Sequence, residues 1–346
     1  MLTDFVIQFF SEQPRRERAV FGLLTGKQTI SILYAALIHQ QLQWLHLYPS
    51  LSKEAFSAAI TTLKVQRVLR ETETGLILTE KGQHLKQAAV TQLPLPTHYQ
   101  PWMNLPVFAP RFFLGVQVLS EASYANRAYQ PISVNWATQQ VVKQWYQQVD
   151  HRAAVTTLSS LFQGLPTELA DTLAANMIGH DYAGQLMPAT LQAHFERLDA
   201  LAALVQQLAN TRSMWTALWG GPRDFVSRPA QQTLAQARAG MALPTIAHRS
   251  HRKQSTINEH LLLAAIMGET LPIEHLVPLK IHRALDRVTQ IYDHQALLAA
   301  IPGSTFFSDS IVPDSKFSRE VAACHNLKHN FNNILAFKNS DLDKRL

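Results

Sequence analysis

The chain has 346 residues, enough for about two or three domains of ordinary size. With 47% hydrophobic residues against 16% charged ones it can bury real cores, which excludes a chain disordered throughout. The net charge of +6 favours polyanionic partners, and a single cysteine, Cys324, excludes an internal disulfide and a thiolate metal cluster.

Glycine is scarce while Ala, Leu and Gln are abundant, so a mostly α-helical protein is expected. The opening "MLTDFVIQFFSEQPRRER" has an acid, Asp4, ahead of a short apolar stretch, and does not read as a signal peptide. No apolar run approaches the roughly 20 residues of a membrane span. A soluble, cytoplasmic protein without a membrane partner is the expectation.

Residues 1–92 have the order of a winged helix. "LTDFVIQFFSE", "KQTISILYAALIHQQLQ" and "LSKEAFSAAITTLKVQRVL" read as three helices, the third with Ser52 as N-cap and Phe56, Ile60 and Leu63 on one face. Thr74-Gly75 marks a turn, Leu76-Ile77-Leu78 a short strand, and "LTEKG" the entry to a further helix. "GLLTGKQT" resembles a phosphate loop only faintly. Three residues, not four, separate Gly22 from Gly26, and Gln28 follows Lys27 where Ser or Thr would reach magnesium, so the stretch reads as a turn between helices.

Residues 93–224 form the helical middle. "LPLPTHYQPWMNLPVFAP" holds five prolines and is expected to break helix and mark a boundary or connector. "TELADTLAANMIG" sets Leu169, Leu173 and Met177 on one face, with Gly179 near the helix end. "TLQAHFERLDALAALVQQL" sets Leu191, Phe195, Leu198, Val205 and Leu208 along another stripe. Four of the six tryptophans fall between 136 and 219 and are expected in the core.

Residues 225–300 carry the sharpest pattern. "QQTLAQARAGMALPTIAHRSHRKQSTINEHLLLAAI" divides into a helix stopping at Gly240, a short helix over about 242–249 with Pro244 in its first turn, and a third helix from Lys253 or Gln254. Ala247 is small enough for the close approach of the last two helices, and Ile257 and Leu261 supply the inward face. Gln254, Ser255, Thr256 and Asn258 are left on the early, outward face, where a recognition helix meets base edges. From Phe225 to Asn258 there are five basic residues, Arg228, Arg238, Arg249, Arg252 and Lys253, and no acid. Arg249, Arg252 and Lys253 are therefore candidate phosphate contacts. A solvated basic hairpin or a protein-docking motif is the competing reading of the same residues. Residues 301–346 lose periodicity and read as a loosely ordered tail.

Catalytic chemistry is not written in this chain. The fifteen histidines form no His-Glu-x-x-His arrangement, and there is no Gly-x-Ser-x-Gly elbow or glycine-rich dinucleotide turn. No metal, no cofactor and no enzymatic activity are expected.

"IAHRSHRKQSTINEHL" resembles the helicase-associated helix-turn-helix domain of some RecQ-type helicases and of stand-alone bacterial proteins, through Gly240, Met241, Ile246, Ala247, Ser255, Thr256, Ile257, His260 and Leu261. "GKQTISILYAALIHQ…LYPSLSKEAF" and "VFAPRFFLGVQVLS" are similar to the stand-alone, YpbB-like members. The resemblance implies a DNA-binding accessory protein acting with a RecQ-type DNA helicase in replication, recombination or repair. The segment Ser-Thr-Ile-x-x-His also occurs, in variant form, in LuxR-type domains, so a transcriptional regulator is the alternative. A protein–protein adaptor that docks a helicase without touching DNA is the other. The chain departs from the family pattern at His251 and Arg252, where glycine and then leucine are usual, and at Ala242, where Ser or Thr caps the second helix. A weaker anchor between the last two helices is expected there.

Overall fold

The computed structural model describes residues 1–184, 190–272 and 276. The chain opens with α1 (Leu2–Ile7), α2 (Glu17–Thr25), α3 (Ile30–Ile38), a 3-10 turn at Leu42–Trp44, and α4 (Lys53–Val65). A hairpin of β1 (Leu69–Thr72) and β2 (Gly75–Leu78) leads into α5 (Glu80–Gln92). The middle holds α6 (Leu105–Ser123), α7 (Trp136–Gln148), α8 (His151–Gln163), α9 (Thr167–Ala175), α10 (Leu191–Asn210) and the short α11 (Thr216–Trp219). Then come α12 (Arg228–Arg238), α13 (Leu243–Arg249) and α14 (Gln254–Ile266). Among the described residues the hairpin is the only sheet, so the protein is mostly α.

These elements form two compact units. One holds Met1–Pro14 and Ser52–Arg223; the other holds Arg15–Leu51 and the described residues from Asp224 on. The stretch 1–92, expected as one winged helix, is thus shared: α1, α4, the hairpin and α5 belong to the first unit, α2 and α3 to the second.

In the first unit α1 packs against α4 and α5. Its aromatic side chains continue into the core, where the Phe5 ring meets Phe9 at 5.1 Å and Phe195 at 5.0 Å. Ser52 caps α4 by accepting the Ala55 N–H at 3.1 Å. The hairpin pairs Leu69 with Leu78 and Thr72 with Gly75, and Thr79 then caps α5 by accepting the Gly82 N–H at 3.1 Å. Gly82, the glycine of "LTEKG", lies against the Val68 carbonyl so closely that a Cβ would collide with its oxygen.

The proline-rich stretch behaves differently from its expectation in one respect. It does interrupt helix up to Asn104, but α6 begins inside it at Leu105. Pro106 sits in the first turn, where a missing N–H has no partner to lose. Pro110 follows one turn later, and the carbonyl it leaves unbonded is that of Pro106. The tryptophans are core as expected, except Trp136, which is 72% exposed. Trp145 and Trp215 meet at 4.8 Å, and Phe112 meets Trp215 at 5.5 Å. The indole N–H groups of Trp145, Trp215 and Trp219 donate to the carbonyls of Met214, Ala154 and Met103 at 3.0, 3.0 and 2.8 Å. In the stripe of α10 Phe195, Val205 and Leu208 are buried, while Leu191 and Leu198 are partly exposed. Helix α9 ends at Ala175, earlier than expected, and Gly179 pairs with Tyr182 in a short bridge beyond it.

In the second unit α2 and α3 pack on each other, and α3 also packs on α14. The reason is compositional. "ISILYAALI" is apolar nearly all round and buries Ile32, Leu33, Ala36 and Leu37, so it needs partners on more than one side. "GLLTGKQT" is the end of α2, with Gly26 left-handed at φ 81° and Lys27 N–H donating to the Gly22 carbonyl at 2.8 Å. No single described helix is long and apolar enough to cross a membrane; α2 and α3 pass such a test only jointly, and the pair is bent by 102°. Residues 301–346, with Cys324, lie outside the described residues.

Candidate nucleic-acid interface

Helix α12 starts with Pro229 in its first turn and buries Ala230, Thr233, Leu234 and Ala237, a stripe of three- and four-residue spacings. It ends at Gly240, left-handed at φ 79°, with Gly240 N–H donating to the Ala237 carbonyl and Met241 N–H to the Gln236 carbonyl at 3.0 and 3.1 Å. This paired closure is a Schellman turn. Helix α13 then runs Leu243–Arg249, with Pro244 in its first turn and Ala242 giving no side-chain cap, and it buries Ile246 and Ala247.

The turn into α14 repeats the closure with the wrong residue for it. His251 N–H donates to the His248 carbonyl at 3.2 Å, and Arg252 N–H to the Ala247 carbonyl at 3.0 Å. His251 is therefore left-handed, at φ 53°. That backbone explains why a glycine is usual at this position, since a Cβ strains it. In such a turn the residue after the left-handed one often makes an apolar contact back to the helix. Here it is Arg252, whose side chain is exposed.

Helix α14 runs Gln254–Ile266 and packs against α12, α13 and α3. Ile257 and Leu261 are fully buried, as expected. Thr233 and His260 join α12 to α14 through a 2.9 Å bond between Thr233 Oγ1 and His260 Nδ1. Burial pushes the His260 pKa down, with nearby Arg252 acting the same way and Glu259 opposing, so the ring favours its neutral form. Arg238 is tied to Glu269 at 3.1 Å and to the Thr270 carbonyl at 2.7 Å, which turns it toward structural duty.

The expected contact residues fall into three classes. Arg249, Arg252, Lys253, Gln254 and Ser255 are all exposed, along the last turn of α13, the connecting turn and the first turn of α14. Thr256 is half-buried. Asn258 is the correction: expected outward, it is only 4% exposed. The physical reason is that α14 is packed from three sides, so a second buried row, Asn258 and Leu262, runs beside Ile257 and Leu261. Gln254 Nε2 also donates to Asn258 Oδ1 at 3.2 Å, drawing one exposed amide toward the helix.

The exposed set is suited to an anion. Lys253 provides no side-chain cap, and the first backbone N–H groups of α14, those of Gln254 and Ser255, have no protein acceptor among the described residues. A helix start with free N–H groups, flanked by Arg252 and Lys253, presents both a dipole and formal charge to a phosphate.

Sequence reasoning missed the support of α14 by α3. Its signal was present in the all-round apolarity of "ISILYAALI". Near that helix Arg15 is 2% exposed, donates to Gln41 Oε1, and has its pKa lowered to about 10 by burial. Burial, with Arg15 adding repulsion, holds the His39 pKa down at about 4.

No curated protein and no solved structure matches the chain. Residues 229–302 match a sequence family described as a helix-turn-helix domain, of which the structure describes 229–272 and 276. The chain carries a helix-turn-helix domain.

Proposed function

We propose that this protein is a non-enzymatic, cytoplasmic DNA-binding accessory protein that acts beside a RecQ-type helicase. The observation that carries the DNA reading is the run of exposed Arg249, Arg252, Lys253, Gln254 and Ser255 at the front of α14, in a matched helix-turn-helix domain. Three cations and a bare helix start favour phosphates, the sequence-independent part of DNA affinity.

The placement of Asn258 favours the accessory role over an operator-reading regulator. Asn and Gln read adenine when both amide groups face the groove. Asn258 is buried and Gln254 is bonded to it, which leaves Ser255 as the exposed small polar group of this set. Such a surface positions a duplex more than it reads one. The helicase association rests on the sequence resemblance.

The test compares duplex, forked and single-stranded DNA of several sequences, with and without a RecQ-type helicase. The proposal expects affinities for unrelated duplexes to agree within about tenfold, or about 1.4 kcal/mol, and unwinding by the helicase to change when the protein is added. A preference for one duplex by a factor of about a thousand or more supports the regulator instead. Absence of DNA binding with retained helicase binding supports the adaptor.

A further inference from the structure

His260 sits where α12 backs α14, and its two ring nitrogens meet different surroundings. Thr233 of α12, 4% exposed, donates its hydroxyl hydrogen to the Pro229 carbonyl at 3.0 Å. A carbonyl can only accept, and a threonine has one hydroxyl hydrogen. In its 2.9 Å bond to His260 the Thr233 oxygen is therefore the acceptor, and Nδ1 carries the proton. The neutral ring then has its lone pair at Nε2. Among the described residues Nε2 has no hydrogen-bond partner, and it reaches solvent.

Nε2 continues a line of unengaged polar groups. Lys253, Thr256 and His260 are spaced by three and then four residues, so they share one side of α14 and its entry. Among the described residues, neither the Lys253 ammonium nor the Thr256 hydroxyl has a protein partner. The line runs about 10 Å along the helix. It starts among the exposed cations and ends at the half-buried His260.

Two charges act on the ring: Arg252, in the turn before α14, and Glu259 beside it on the helix. Of the elements packed on α14, α12 faces His260 with the uncharged Thr233 and carries its cations, Arg228 and Arg238, at its two ends. Helix α13 carries His248 and Arg249 in its last turn, and α3 has no charged residue, with Tyr34 its one titratable group. In the free protein burial and Arg252 oppose a second ring proton, and Glu259 favours it. A phosphate paired with Arg252 cancels that repulsion and offers its oxygens to an Nε2–H. Neutral Nε2 and a phosphate oxygen are both acceptors, so the bond needs a proton from solvent.

We propose that His260 is a further phosphate contact of α14, made only by the protonated ring, so that DNA binding takes up a proton at Nε2. This contact rests on the DNA reading of the same helix. The complex holds the proton more tightly than the free protein does. Affinity is therefore greatest at low pH, and the gain is lost as pH rises past the point where the bound ring gives up its proton.

The test uses the full chain and His260→Asn, which keeps an N–H in the place of Nδ1 and removes Nε2. Binding of one labelled duplex is measured at low salt, at about pH 5.8 and about pH 7.8, with circular dichroism of both proteins at each pH. His248 and His251 are exposed nearby and contribute alike to both proteins. From the higher pH to the lower, the wild type is expected to gain about three- to tenfold more affinity than the variant, the two agreeing within about twofold at the higher pH. Equal gains overturn the inference and leave the DNA reading standing. A wild type that binds no duplex at either pH overturns both. A second measurement needs no variant. Nitrogen chemical shifts of His260 in the free protein at the higher pH are expected to place the proton on Nδ1, and added duplex, between the two pH values, to move Nε2 toward its protonated form. A neutral ring with its proton on Nε2, or an Nε2 signal that duplex leaves unchanged, also overturns the contact.

Discussion

At the scale of single residues, the front of α14 separates groups that can meet DNA from groups that hold the helix. Asn258 belongs to the second kind. Its amide is buried and bonded to Gln254, so Asn258→Ala is expected to lower stability by about 1–3 kcal/mol while weakening all DNA sequences alike. Urea unfolding, read beside binding to two unrelated duplexes, checks this; a selective loss for one duplex at unchanged stability contradicts it. His251 is the other informative residue. It holds a left-handed backbone at φ 53° with a Cβ in place. His251→Gly is expected to raise stability by about 0.5–1 kcal/mol, the relief of strain less the entropy glycine adds to the unfolded chain. The urea midpoint should rise with unchanged slope. Sequence reading marked this position because glycine is usual there, and the backbone supplies the reason. It misplaced Asn258 because a helical wheel assigns one inward face, and α14 has more than one buried side.

At the scale of elements, boundaries were most legible where local chemistry decides them. Gly240 stops α12 through a left-handed backbone, Pro244 starts α13 where no N–H is needed, and Ser52 caps α4. These signals act within a few residues and so can be read from a string. The start of α6 was less legible, since Pro106 looks like a helix breaker until its place in the first turn is known, and Pro110 is carried inside the helix at the cost of one backbone bond. Gly82 shows a contact that local reading cannot see. It is glycine because α5 closes directly over the Val68 carbonyl. Gly82→Ala is expected to destabilise by about 1–3 kcal/mol, because backbone on both sides must shift. Thermal unfolding of the variant measures it, and an unchanged midpoint would show that the hairpin and α5 have slack.

At the scale of the whole molecule, the assignment of α2 and α3 to the unit that holds α12–α14 was the least legible feature. Nothing local in "ISILYAALI" names a partner more than two hundred residues away; its composition says only that several sides need cover. The first unit gathers Met1–Pro14 with Ser52–Arg223, so neither unit is a continuous stretch of chain. The second unit also carries a pH dependence. His39 has its pKa lowered to about 4 by burial and by Arg15, against about 6.5 when unfolded. Below 6.5 the unfolded state binds the proton first, so stability is complete above that pH and falls as pH drops toward 4. His260 is shifted in the same direction. Urea unfolding at pH 7 and pH 4.5 should differ by about 1–3 kcal/mol through His39, and His39→Gln should reduce that difference. An unchanged difference would remove His39 as its source.

The most direct measurement is DNA affinity across a salt series, for the wild type and for the variant with Arg249, Arg252 and Lys253 all replaced by Ala. If these three cations each neutralise a phosphate, the slope of log affinity against log salt becomes shallower by about three and binding at low salt weakens strongly. A slope that the triple substitution leaves unchanged, or a wild type that binds no DNA at low salt, contradicts DNA contact through the front of α14.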